Sequence, residues 1–154
     1  PRPILVSPPE TGVGPIYLLT RKGRHHTHVG TQNNQLLHKY SDEPRLWMNS
    51  QTAKKLNLKD YDLVEVSSEI GKANIMLKVT KAIRPDCVYL TPGYGHLSQA
   101  LTTAFGVGAS DSALHVTYTD PISGGQALSQ TFVSVKKIAG APAGKIRKPL
   151  YAGE

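Results

Sequence analysis

With 154 residues, 18 Lys and Arg against 11 Asp and Glu, and a formal charge of +7, the chain reads as one domain large enough to bury a core. Its basic surplus favours anionic partners: nucleic acid, phosphates or an acidic protein surface. Its single cysteine, Cys87, excludes an intrachain disulfide, an iron–sulfur cluster or a thiolate zinc site built from this chain alone. Apolar runs of only a few residues exclude a membrane-spanning helix. The chain begins at Pro1 without a legible signal peptide, which leaves the compartment open.

Five prolines before Ile16 predict an irregular lead-in over 1–15. Ile16 to Thr20 is predicted as the first strand. A long polar turn follows, Arg21-Lys22-Gly23-Arg24-His25-His26-Thr27-His28 and on to Asn34. Asn33 to Tyr40 suits a short helix ended by Ser41-Asp42-Glu43-Pro44. Arg45 to Met48 is predicted as a strand with Leu46 and Met48 on one face and Trp47 on the other. Ser50 then stands as N-cap of a helix through Leu56. Leu63 to Ser68 and Ala73 to Thr80 alternate apolar and polar residues around Gly71, which predicts a hairpin. Cys87 to Thr91 is a further strand, broken by Pro92-Gly93-Tyr94-Gly95-His96. The spacing over Leu97 to Phe105 suits a helix, Ala113 to Thr119 an extended segment, and Thr131 to Ile138 the last strand. From Ala139 on, Pro, Gly, Ala and Lys predict a tail. Short strands separated by turn signals, without long helices between them, indicate a small β-barrel or sandwich rather than a doubly wound sheet.

The residues 21–34 are a poor core and a good anion surface, because guanidinium, hydroxyl and glycine amide groups all donate hydrogen bonds that phosphate oxygens accept. His25, His26 and His28 could suggest a metal, but no carboxylates or thiolates stand nearby and the flanking Arg and Lys would repel a cation; no metal site is expected. Neither G-x-x-x-x-G-K-[ST] nor G-x-G-x-x-G occurs. No G-x-S-x-G elbow supports a self-sufficient hydrolase, and Cys87 reads as a small buried apolar residue. Asn49, between strand and helix, suits either a ligand contact or a simple cap. Nucleic acid is not expected, since aromatics are only 6% and scattered. A basic β-barrel binding nucleic acid or protein through charge remains the alternative, and it predicts steep salt dependence.

Taken together, "YLLTRKGRHHTHVGTQNN", "LWMNSQTAKKLNLKDYDLVEVSSEIGKANIMLKVTKAIRPDCVYLTPGYGH", "GVGASDSALHVTYTDPISGG" and "TFVSVKK" resemble the C-terminal molybdopterin dinucleotide-binding domain of dimethyl sulfoxide reductase-family oxidoreductases. The branch resembled is that of the thiosulfate, polysulfide and respiratory arsenate reductases. The resemblance spans about residues 16–138. It implies a mainly β fold, a double-psi β-barrel with two or three short helices, followed by an extended tail over 139–154. It also implies a lid over bis(molybdopterin guanine dinucleotide) with molybdenum, bound jointly with other domains of the same catalytic subunit. Iron–sulfur electron-transfer and membrane-anchor subunits, and a place on the outer face of the membrane or in the periplasm, are implied for the full enzyme. Thr20, Arg21 and Gly23 match the strand-end turn that approaches the dinucleotide. His26, His28, Thr31 and Gln32 match the loop after it, and Asn49 an asparagine that meets guanine or ribose. Tyr94, Gly95 and His96 match a loop near the cofactor and substrate funnel, and Gln130 a position that reaches a pterin. His96 is the one candidate for direct substrate contact, as proton donor or anion ligand, with a structural hydrogen bond as the other reading. The molybdenum ligand and iron–sulfur cysteines of the family have no counterpart here. The resemblance therefore implies a piece of a large catalytic subunit, or a separate lid subunit, that reduces a sulfur or arsenic oxyanion or polysulfide only with its partners.

Overall fold

A computed structural model describes residues 16–41, 43–115, 119–126 and 130–139. The expected lead-in, nearly all of the expected tail, and residues 116–118 of the extended segment lie outside the described residues.

Six strands close into a barrel in the order β1-β5-β2-β4-β3-β6. They are β1 (Ile16–Thr20), β2 (Leu46–Asn49), β3 (Leu63–Ser67), β4 (Lys72–Thr80), β5 (Cys87–Leu90) and β6 (Phe132–Lys137). Helices α1 (Gln35–His38) and α2 (Ser50–Lys55) are short, and a 3-10 turn covers His28–Thr31. The barrel is mixed: β1 runs parallel to β5 and β2 to β4, while the remaining four pairs are antiparallel. This is the mainly β, double-psi type of barrel that the resemblance implies.

Alternation places the core. Val64 and Val66 of β3 and Ala73, Ile75 and Leu77 of β4 turn inward, with Leu18, Leu46, Met48, Val88, Leu90, Val133 and Val135 from the other strands. Burying each large aliphatic side chain contributes about 1.5–3 kcal/mol. Because the ring of strands closes on itself, no edge is left to seek another chain. The barrel's core is filled mainly by residues of its own six strands.

Three expectations need correction. Ala113 and Leu114 are not extended but part of a turn, in which the Leu114 and His115 amides donate to the Asp111 carbonyl at 2.9 and 3.3 Å. Helix α2 begins at Ser50, and its N-cap is Asn49, whose side chain accepts from the Gln51 amide at 2.8 Å. The segment from Leu97 to Phe105 is not a helix. The Asn33 carboxamide oxygen accepts from the amides of Thr103 and Ala104 at 2.8 and 3.1 Å, and His96 and Phe105 form an isolated parallel bridge. Long-range hydrogen bonds thus satisfy amides that a helix would have used internally, and Leu97 is left 65% exposed. Asn33 itself lies outside α1, which Asn34 caps by accepting from the Leu36 amide.

Candidate functional site

The strand registers define two rims. Thr20 pairs with Leu90 and Trp47 with Tyr89, so the end of β1, the end of β5 and the start of β2 share one rim. Asn49, the start of β5 and the loop carrying Ile83 lie at the other. The polar turn after β1 and the loop after β5 meet at the first rim.

Gln32 fastens that meeting. It is 1% exposed. Its Nε2 donates to the Pro92 carbonyl at 3.1 Å, and its Oε1 lies 3.3 Å from His96 Nε2. Since the Gln32 nitrogen is committed as donor, its oxygen is the acceptor, and the His96 proton sits on Nε2. His38 Nε2 donates to the Gln32 carbonyl at 2.7 Å. Thr31 Oγ1 accepts from the Thr27 amide at 2.8 Å and approaches His26 Nδ1 at 3.4 Å.

His26 is buried between the His38 ring, 5.7 Å away centroid to centroid, and the Tyr94 ring, 6.3 Å away. Burial, then the neighbouring His38, push its pKa below the ordinary histidine value, so the ring is neutral at neutral pH. Its Nε2 is buried without a hydrogen-bond partner. Burial, and secondarily Tyr89, hold the Tyr94 phenol above its ordinary pKa.

Beside this pair opens a groove of about 390 Å³. One side is the basic turn, Lys22, Gly23, Arg24, His25 and His26. The other is aromatic, Tyr40, Trp47, Tyr89 and Tyr94, with Ser41, Glu43 and Thr91 between. Trp47 and Tyr89 pack edge to face at 5.3 Å, and the Tyr89 hydroxyl donates to the Arg21 carbonyl at 2.8 Å, tying the aromatic wall to the basic turn.

Of the residues expected at the site, Gly23, His26 and Tyr94 line the groove. Thr20 and exposed Arg21 lead into it, and Thr31, Gln32 and His96 form the hydrogen-bonded layer behind it. Gly95 is architectural: its φ is +82°, and a Cβ there would lie 2.4 Å from the Ser110 nitrogen. His28 is exposed with φ +45°. Exposed Gln130 precedes Thr131, whose carbonyl accepts from the Leu18 amide, and so points to the same rim as Thr20. Asn49 is on the opposite rim, and both halves of its amide are used, Oδ1 by the cap and Nδ2 by the Ile83 carbonyl at 2.5 Å. Trp47, Tyr89, Tyr40 and Glu43 were not singled out in the sequence. They come from separate segments, and only the register of β2 against β5 brings two of them together. Among the described residues no three His, Cys, Asp or Glu side chains gather to hold a metal ion, and no helix is long and apolar enough to cross a membrane.

A closed mixed barrel with a donor-rich, aromatic-walled groove at one rim defines a class: a small β-barrel module with a polar groove suited to an anionic, ring-bearing ligand. The chain belongs to the molybdopterin dinucleotide-binding domain family, which it matches over residues 16–132. It is 31% identical over 111 residues to the molybdopterin-containing subunit of thiosulfate reductase from Salmonella typhimurium, covering 71% of this chain and 14% of that protein. It is also 31% identical over 102 residues to the molybdopterin-containing subunit of arsenate respiratory reductase from Chrysiogenes arsenatis, covering 62% of this chain and 12% of that protein. Acetylene hydratase from Pelobacter acetylenicus shares the fold, with a TM-score of 0.66 at 15% identity over 80% of this chain and 18% of that one. The chain thus spans only about a seventh or less of the length of the curated relatives it matches.

The residues present suit a molybdopterin dinucleotide. The groove has cationic side chains for a pyrophosphate and aromatic rings for a planar heterocycle, and the buried His26, whose Nε2 has no hydrogen-bond partner, belongs to its lining.

Proposed function

We propose that this chain holds the dinucleotide cofactor of a larger molybdenum oxidoreductase in the groove between the 21–26 turn and the 91–96 loop. The observation that carries this reading is the groove itself, lined by Lys22, Arg24 and His26 together with four aromatic rings. Lys22 and Arg24 would neutralise a pyrophosphate. The amides around Gly23 have room to approach it, because a Cβ at that residue would meet nothing nearer than Thr91 Cγ2, at 3.9 Å. The buried His26 ring lacks a partner at Nε2, and a ligand hydrogen bond there would require a small shift of its cover. Gln32 holds the two loops at a fixed separation, so the site is formed before ligand arrives.

The cofactor we assign is bis(molybdopterin guanine dinucleotide), held jointly with further domains of the same catalytic subunit. When bound, its molybdenum supplies two-electron chemistry to a thiosulfate, polysulfide or arsenate-like substrate. This chain supplies binding, orientation and exclusion of water. His96 is engaged to Gln32 through Nε2, so it could act on a substrate only through Nδ1, which donates a hydrogen bond only when the ring is protonated. We take residues 16–138 as the domain, and an exported enzyme with iron–sulfur and membrane-anchor partner subunits as its setting.

Calorimetric titration of the chain with inorganic pyrophosphate and with guanosine diphosphate tests the reading. Binding is expected for both. It should be weakened at least about tenfold when Lys22 and Arg24 are both changed to Gln, and weakened also in His26→Phe, which keeps the ring packing but removes Nε2. Absence of binding, or binding untouched by these changes, overturns it.

A further inference from the structure

The groove contains one residue that is wrong for a phosphate. Glu43 lines it together with Tyr40, Trp47 and Tyr89, in the same groove as Lys22 and Arg24. Among the described residues its ion pair is a long one, Arg45 Nε to Glu43 Oε2 at 4.0 Å, which leaves the carboxylate oxygens with accepting capacity. Arg45 instead directs its guanidinium at Asp60 Oδ1, 3.5 Å away, and over the Tyr61 ring at 4.2 Å. The Glu43 side chain is 39% exposed, so it is reachable from the groove. An ionised carboxylate only accepts hydrogen bonds, and its two oxygens accept a parallel pair of N–H donors best.

Resting on the reading above, we propose that Glu43 selects the heterocycle by accepting two hydrogen bonds from a 2-amino-4-oxopyrimidine edge, while the ring lies against the aromatic wall. That edge presents a ring N–H beside an exocyclic amino group, and guanine and pterin share it. Adenine presents a ring nitrogen lone pair at the corresponding place and would be repelled. The two sides of the groove then have separate tasks: Lys22 and Arg24 take the anionic end of the ligand, and Glu43 reads its donor end. The opposite charges also fix which way round the ligand lies.

Trp47, the only tryptophan in the chain, belongs to the wall and reports stacking directly. Its fluorescence would be followed during titration of the chain with guanosine diphosphate, adenosine diphosphate, pterin-6-carboxylate and inorganic pyrophosphate. Calorimetry would provide an optical-artefact-free repeat. The expected result is a preference of about tenfold or more for guanosine over adenosine diphosphate, the size of one bidentate base contact. Glu43→Gln, which keeps the shape and loses the charge and one acceptor, should abolish that preference. Pyrophosphate binding should persist in that variant and, with a repelling carboxylate removed from the groove, tighten rather than weaken. The edge is assigned to whichever of guanosine diphosphate and pterin-6-carboxylate loses affinity in Glu43→Gln, a comparison made within each ligand because only the nucleotide carries a diphosphate. Equal affinity for the two nucleotides, or a preference that survives Glu43→Gln, overturns the role of Glu43 while pyrophosphate binding leaves the cofactor reading standing. Loss of pyrophosphate binding by the unaltered chain is the separate result that removes the cofactor reading and this inference with it.

Discussion

Two glycines in the candidate loops, Gly23 and Gly95, respond differently to a single added methyl group. Gly95 sits at φ +82°, where an L-residue costs about 1–2 kcal/mol. A Cβ would also lie 2.4 Å from the Ser110 nitrogen and 2.8 Å from the Ala109 carbonyl carbon, both backbone atoms that cannot rotate away. Relief requires the 93–96 loop to move off the 109–111 segment. That motion loosens the bond from the Gly95 amide to the Val107 carbonyl at 2.9 Å and the one from the Gly93 amide to Asp111 Oδ1 at 3.1 Å. Each is worth about 0.5–1.5 kcal/mol. Gly95→Ala is therefore expected to destabilise the chain by about 2–5 kcal/mol, lowering the urea midpoint by roughly 1 M or more. Gly23→Ala meets only Thr91 Cγ2 at 3.9 Å, an ordinary contact, and has no positive φ to strain it. Its stability should match that of the parent within about 0.5 kcal/mol, while its affinity for pyrophosphate falls. Equal midpoints for parent and Gly95→Ala, or a large loss in Gly23→Ala, would refute this division between architecture and binding.

Asn49→Ala removes a cap and the bond to the Ile83 carbonyl, and should cost about 1–2 kcal/mol by urea unfolding without changing pyrophosphate affinity. Asp62 is buried; burial opposes its charge, but the Lys137 ammonium at 2.8 Å and the Lys59 amide overcome this and hold its pKa below the usual carboxylate value. Because the folded pKa is the lower one, this stabilisation is fully present above about pH 4 and disappears as pH falls through the folded value, so Asp62→Asn should flatten the acid limb of a stability–pH profile. Burial likewise lowers the pKa of His115, against the smaller opposing effect of Asp111, whose Oδ2 is 3.9 Å from His115 Nε2. The unfolded chain therefore binds the proton more readily, and stability should rise as pH climbs toward about 6.5, a slope that His115→Gln removes.

Much of the barrel was legible because its signal is local. Val64, Val66, Ala73, Ile75 and Leu77 alternate with residues that face outward, and a one-residue slip would expose them all, so the β3–β4 hairpin could be read directly. Over Leu97 to Phe105, apolar spacing favoured a helix, but the distant Asn33 carboxamide captured two of the amides. The donor-rich turn after β1 was visible as a stretch that cannot form a core. Its opposite wall was not, since Trp47 and Tyr89 meet only through pairing of β2 with β5, and Tyr40 joins them from the turn after α1. The same pairing sends Asn49 to the far rim, a separation no local pattern encodes.

The central claim is that the ligand sits at the Thr20–Leu90 rim and not at the Asn49–Ile83 rim. Amide chemical shifts of the chain, followed by NMR during titration with guanosine diphosphate, test it most directly. The account predicts changes concentrated on Lys22 to His26, Glu43, Trp47 and Thr91 to His96, with Asn49, Gln51 and Ile83 unmoved. Changes centred on Asn49 and Ile83, or none at millimolar ligand, would contradict it.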